Sequence, residues 1–109
     1  FDKNGFSVDP PMKYRFDLLR NWTLVKQLMD TGYAQVQYIF IADHLKKMLL
    51  DFAKEKGEPQ SIRGRAKQVM RQPSKNLHWD HFHVRIYCPG NDLPDCVNNG
   101  PKWAWVKSL

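Results

Sequence analysis

The chain lacks the features that would direct it into a membrane or onto a nucleotide. No apolar run approaches the about 18 residues that span a bilayer. The chain has no glycine-rich phosphate loop, which argues against nucleotide chemistry, and no Cys-x2-Cys pair of the kind that holds structural zinc. It opens with Phe1 and has neither a starting methionine nor a secretory leader. We therefore expect a chain that is trimmed at its N-terminus and has no transmembrane segment.

Cysteine is scarce, with two residues in the chain. Cys88 and Cys96 flank a run of turn-forming residues at 89–95, which fits a short loop closed by a disulfide in an oxidising compartment. Closing so short a loop is worth on the order of 2–3 kcal/mol in the chain-entropy model. The alternative is two free thiols in a cytosolic protein.

Acidic residues are outnumbered by basic ones. The 109 residues suit a single domain, 1–109, and the formal net charge is +6. That charge favours anionic partners such as nucleic acid, anionic lipid or an acidic cell-wall polymer. Because the lysines are scattered along the predicted helices and form no single stripe, we expect no nucleic-acid partner.

The order of the predicted elements indicates an α+β fold. Apolar residues at helical spacing predict three helices, at 17–30, 44–56 and 59–71. Residues with high β-propensity predict two strands, at 35–42 and 80–88. Residues 1–14 are polar, carry a glycine and two prolines, and are predicted to form a loop or an extended lead-in. We predict a small antiparallel sheet flanked by about three helices.

The helix ends carry recognisable signals. Asp17 is predicted to cap the first helix and Asp43 the second, and Gly57 is predicted to stop the second. The first helix has an apolar stripe that we expect to be buried, formed by Leu18, Leu19, Trp22, Val25 and Met29.

Two tryptophans near the end of the sequence, Trp103 and Trp105, alternate as on a strand. Large aromatic side chains usually bury, which favours a final edge strand. The alternative is an exposed aromatic contact surface.

Histidine is concentrated in one short stretch, His78-Trp79-Asp80-His81-Phe82-His83, which holds three of the four histidines. Side chains alternate along a strand over 80–88, so one face would carry His81, His83, Arg85 and Tyr87. The other face would carry Phe82, Val84, Ile86 and Cys88. Neutral imidazole is the commonest metal ligand and the usual general acid or base near neutral pH. The alternative is a half-exposed polar strand face without a chemical role.

The histidine pair suits part of a zinc site. A catalytic zinc takes three protein ligands and keeps a position for water, and His81 and His83 supply one or two of those positions. Arg85 or Tyr87 could orient a substrate carboxylate. His44 and Asp51 share a helix face at i, i+7 and could also reach one metal, but a solvated helix face explains them better.

Residues 15–88, about two thirds of the chain, resemble the C-terminal half of the penicillin-insensitive murein endopeptidases. These are MepA-type zinc peptidases of the lysostaphin, D-Ala-D-Ala-peptidase and Hedgehog fold group. The matching segments are Arg15-Phe16-Asp17, Arg20-Asn21-Trp22, Leu24-Val25, Val36-Gln37-Tyr38-Ile39-Phe40-Ile41, Leu45-Lys46, Leu49-Leu50, Gln72-Pro73-Ser74 and His78-x-Asp80-His81-Phe82-His83-Val84-Arg85-Ile86-Tyr87-Cys88-Pro89. The last block is the most specific.

The resemblance implies a periplasmic or secreted zinc metallopeptidase that cuts the D-alanyl–diaminopimelate cross-links of peptidoglycan. It implies that His83 is a zinc ligand, that His81 is the catalytic histidine beside the metal-bound water, and that His78 lines the same cleft. It also implies a local disulfide between Cys88 and Cys96.

One part of the family's pattern has no counterpart here. The family's other zinc ligands, a His and an Asp, precede the matched region, whereas no histidine of this chain precedes His44. We therefore expect the C-terminal part of such an enzyme, with a LAS-like core whose N-terminal portion is missing. An upstream segment or a partner chain would complete the site, and the chain alone is expected to hydrolyse poorly.

Two other hypotheses follow from the same residues. A non-catalytic module that binds the cell wall or a partner on the same scaffold is supported by the absent ligand pair and by Trp103 and Trp105. A basic nucleic-acid binder or histidine-dependent nuclease is supported only by the charge and the interleaved aromatics.

Overall fold

Three helices pack against a three-stranded sheet, and a separate hairpin precedes them. The computed structural model describes residues 1–30, 35–74, 81–88 and 97–106. Along the chain the elements are β1 (Phe6–Val8), β2 (Pro11–Arg15), α1 (Leu18–Met29), β3 (Val36–Phe40), α2 (Asp43–Glu55), α3 (Gln60–Val69), β4 (Met70–Arg71) and β5 (His83–Ile86). The fold is α+β, as predicted.

The sheet is mixed, whereas the sequence predicted an antiparallel one. Its order is β4-β3-β5, with β4 parallel and β5 antiparallel to the central strand. The third helix ends at Val69, and Met70 turns into the extended conformation. Met70 pairs with Ile39 and is fully buried. Burying this side chain beside β3 ends the helix before the predicted residue 71.

The core lies between the helices and β3. Leu45, Leu49 and Ala53 recur every fourth residue on α2 and are buried, as the helical period predicts. Trp22 and Val25 of α1 are buried too. Leu19 was expected to join them, but it is 62% exposed. It lies three residues before Trp22 and six before Val25, at the edge of the buried face of α1.

The helix caps are partly as predicted. Asp17 caps α1, since its carboxylate accepts a hydrogen bond of 2.9 Å from the Arg20 amide. Asp43 does not cap α2; it is the first helical residue, and its own amide donates to the side-chain oxygen of Gln72 at 2.9 Å. The cap on that amide therefore comes from a residue distant in sequence. Gly57 follows the end of α2 with a φ of 79°, as expected for a helix stop.

The N-terminal segment forms a hairpin, whereas a loop or extended lead-in was predicted. Strands β1 and β2 pair antiparallel. The Ser7 hydroxyl donates to the Pro10 carbonyl at 2.7 Å and accepts from the Tyr14 amide at 2.9 Å. Gly5 precedes the hairpin with a φ of 82°, a left-handed conformation that favours glycine. A Cβ there would also lie 2.7 Å from the Met48 Cε, so that flexible side chain would have to move.

The two C-terminal tryptophans are not on a strand. Trp103 and Trp105 stack with ring centroids 5.6 Å apart and are half-buried against the core. No helix within the described ranges is both long enough and apolar enough to cross a bilayer.

Candidate functional site

Strand β5 positions His83 and Arg85 on the face of the sheet that lies away from the core. Val84 pairs with the fully buried Ile39, so its side chain turns toward the helices. His83 pairs with Phe40 on the opposite face, where the two rings meet edge to face with centroids 5.5 Å apart. Arg85 pairs with Tyr38. The predicted placement of His83 and Arg85 on one face is therefore confirmed. His81, which was predicted on the same face of a strand over 80–88, precedes β5 and does not lie on it.

The outer face of the sheet carries aromatic rings and cations. The Tyr38 and Phe40 rings lie 5.4 Å apart, and the Arg71 guanidinium lies 5.6 Å from the Tyr38 ring. Trp103 meets Tyr38 edge to face at 5.9 Å. Arg71 was not singled out by the sequence, because its position beside β3 depends on the short parallel strand β4. We call the residues Tyr38, Phe40, Arg71, His83 and Arg85 the outer sheet face.

The burial predicted for β5 fails after Arg85. Ile86 was expected to be buried and is 46% exposed, whereas Tyr87 was expected on the histidine face as a substrate-binding residue and is buried. The pairing register shifts between Val36 and Tyr38, where β3 has one residue more than β5. The extra residue lies on β3, so it does not change the alternation of β5. Tyr87 is buried because the C-terminal segment covers it, through hydrogen bonds of the hydroxyl to Pro101 and Trp103.

Tyr87 holds the C-terminal segment. Its ring is 4% exposed, and its hydroxyl donates to the Pro101 carbonyl at 2.5 Å and accepts from the Trp103 amide at 3.2 Å. Gln37, also buried, donates from its side-chain amide to the Asn99 and Pro101 carbonyls. The structure thus places Tyr87, a predicted substrate-binding residue, in a packing role.

His81 lines a cleft of about 290 Å³ between the start of α1 and the end of β3. The floor of this cleft is apolar and includes Phe16, Ile41 and Leu45. Its polar lining is formed by Arg15, Asp17, Asn21 and His81. An apolar floor with a few polar groups is typical of a small-ligand site. We call it the His81 cleft.

The polar lining is partly held in place by α1. Asp17 caps the helix and lies 3.6 Å from the Arg20 Nε, and the Asn21 side-chain amide donates to the Asp17 carbonyl at 2.7 Å. Sequence reasoning recognised Asp17 as a cap but not as a cleft residue. Nothing in local spacing joins residues 15–21 to His81, because tertiary packing brings them together.

The alternative ligand pair lies elsewhere. The His44 Nε2 is 2.8 Å from the Phe1 carbonyl. Asp51 is exposed and forms an ion pair of 2.7 Å with Lys47. Asp51 thus lies on a solvated helix face, as expected.

The described residues do not complete a metal site. Within these ranges no group of three or more His, Cys, Asp or Glu side chains lies close enough to hold a metal ion. His81 lies in the cleft and His83 on the outer sheet face, while His78 and Asp80 lie outside the described residues. His83 is therefore a single candidate ligand among the described residues.

Cys88 is buried and disulfide-bonded. Its amide also donates to the Asn98 side-chain oxygen at 2.6 Å. The predicted partner, Cys96, lies outside the described residues, so the Cys88–Cys96 pairing stays a prediction.

Comparison with known proteins adds no relative. A scan against protein-family models found no match, and searches of curated proteins and of solved structures returned none. The resemblance to the murein endopeptidases therefore depends on the residues of this chain alone.

Proposed function

We propose that this chain carries part of the site of a zinc-dependent peptidoglycan hydrolase that cleaves D-alanyl–diaminopimelate cross-links. The observation that carries the proposal is the His81-Phe82-His83 block, whose His81 lines a cleft with charged lining. His83 lies on the outer sheet face at the start of β5, so of the two histidines only His81 belongs to the cleft. The His-x-His block is also the most specific part of the resemblance.

The proposed roles follow from position. His83 would be a metal ligand, because it is exposed at the start of an ordered strand. His81 would move a proton, because it faces the cleft in which a peptide could lie. Arg85, or Arg15 within the cleft, would orient a carboxylate of the cross-link peptide. His78 keeps its proposed catalytic role on the resemblance alone.

Zinc would need ligands beyond the described residues. An upstream segment or a partner chain would supply them. A periplasmic or extracellular location is proposed because the disulfide at Cys88 favours an oxidising compartment.

The test is metal content together with release of cross-linked fragments from purified sacculi, measured on the full-length protein. We expect bound zinc in the wild type, loss of zinc in His83→Ala, and retained zinc but strongly reduced release in His81→Ala. His44→Ala is the control for loss of a histidine that is not a proposed ligand, and it should retain zinc. Because the His44 Nε2 lies 2.8 Å from the carbonyl of Phe1, which lines the cleft, the control is read on zinc content and not on fragment release.

Other results would contradict the proposal. Equal zinc content in His83→Ala and wild type would remove His83 as a ligand. Tight binding to sacculi without release of fragments, unchanged by His81→Ala, would favour the non-catalytic wall-binding module.

A further inference from the structure

Helices α2 and α3 form a groove of about 550 Å³. It lies on one side of α2, and Leu45, which lines the His81 cleft, lies on the other side. Five basic side chains line it: Lys46, Lys47, Lys54, Arg63 and Lys67. Its two acidic residues are Asp43 and Asp51. Five positive minus two negative charges leave an excess of three in the groove, half of the chain's net +6. We call it the lysine groove.

Most of these cations are not neutralised. The ion pairs among the described residues are Arg20–Asp17, Lys26–Glu58 and Lys47–Asp51. Lys46, Lys54 and Lys67 therefore have no ion pair within the described part of the chain. Lys46 and Lys54 lie on the groove side of α2, and Lys67 lies across the groove on α3.

Lys46 is crowded by other cations. Burial lowers the pKa of its ammonium below the usual value, nearby Asp43 opposes that shift, and Arg71 and Lys67 add to it. A bound anion would relieve the repulsion between these groups. Gly64 lines the groove, and a Cβ there would meet nothing within 4 Å, so the space beside α3 is open.

We propose that the lysine groove binds a linear chain of phosphate groups. Lysine is a compact point charge suited to phosphate. No aromatic side chain among the described residues lines the groove, so this part of the chain offers no stacking platform for the bases of a single-stranded nucleic acid. A phosphate chain carries the negative charge that the excess of lysines would neutralise and needs no such platform. This inference is independent of the proposed hydrolase.

The test measures binding of labelled linear inorganic polyphosphate by fluorescence anisotropy across a salt series. The groove variant is Lys54→Gln/Lys67→Gln, two exposed positions on opposite walls. The control variant is Lys3→Gln/Lys102→Gln, two exposed lysines outside the groove. Both variants remove two charges from +6, and glutamine preserves helix propensity in α2 and α3.

We expect the groove variant to bind roughly tenfold more weakly at low salt and to lose about two units of the salt-dependence slope, since each phosphate contact contributes about one. The control variant should lose much less. Equal weakening in both variants would show that net charge alone attracts polyphosphate, and would overturn the proposal. Tighter binding of a DNA duplex than of polyphosphate through Lys54 and Lys67 would assign the groove to nucleic acid, and would overturn it as well.

Discussion

Replacing Tyr87 with phenylalanine separates a packing role from a role in substrate binding. The change removes one hydroxyl and keeps the ring, which is 4% exposed. That hydroxyl bonds to the Pro101 carbonyl at 2.5 Å and to the Trp103 amide at 3.2 Å. Both partners belong to the C-terminal segment, so the substitution loosens the attachment of this segment to β5.

The expected loss can be worked out partner by partner. The Pro101 carbonyl keeps a second donor, because the Gln37 side-chain amide lies 3.1 Å away. This bond is therefore worth only about 0.5–1 kcal/mol. The Trp103 amide has no other acceptor among the described residues, and leaving a half-buried donor unpaired costs about 1 kcal/mol or more. The sum is about 1.5–2 kcal/mol, or roughly a 6–9 °C lower melting temperature for a domain of this size.

Thermal unfolding followed by circular dichroism measures this loss. Tyr14→Phe is the matched control, since Tyr14 is 57% exposed and its hydroxyl makes no hydrogen bond to a described residue. We expect that control to melt within a degree or two of the wild type. An unchanged melting temperature in Tyr87→Phe, with weaker binding to peptidoglycan fragments, would refute the packing role and restore Tyr87 as a substrate-binding residue.

Two further substitutions test the helical layer. Asp17→Ala should destabilise the protein by about 1 kcal/mol in urea unfolding, because it removes the α1 cap. Asp17→Asn should retain most of that stability, because asparagine also caps helices. Equal losses in the two variants would argue against the cap. Lys46→Met should raise the melting temperature at neutral pH, since burial and neighbouring cations lower the pKa of Lys46 in the folded protein and so disfavour its charged form. Above the lowered pKa of the folded protein, the unfolded chain binds more protons at Lys46 than the folded chain does, so the stability of the wild type rises with pH. The advantage of Lys46→Met should therefore shrink as the pH approaches the ordinary pKa of lysine. An advantage that grows with pH would contradict this.

The helices were predictable because their signals are local. Leu45, Leu49 and Ala53 repeat at the helical period, and Asp17 and Gly57 mark helix ends with side-chain and backbone chemistry of their own. The hairpin at 6–15 was not predictable in this way. It depends on Ser7 bridging two segments that share no apolar alternation.

The candidate site was predictable only in part, for the same reason. Alternation placed His83 and Arg85 together, because both lie within β5. The burial of Tyr87 comes from the C-terminal segment, a contact distant in sequence of which β5 itself contains no sign. The His81 cleft also needs residues from α1, which only tertiary packing brings near.

Helix α2 separates the two surfaces proposed to be functional. Leu45 lines the His81 cleft and Lys46 lines the lysine groove, and consecutive helical residues point about 100° apart. Leu45 is 1% exposed, so the core fixes the rotation of the helix and with it both linings. Lys54 and Lys67 are exposed and do not line the cleft. Their replacement should therefore weaken polyphosphate binding without changing hydrolysis, and replacement of His81 should do the reverse. Loss of both activities in either variant would contradict this separation.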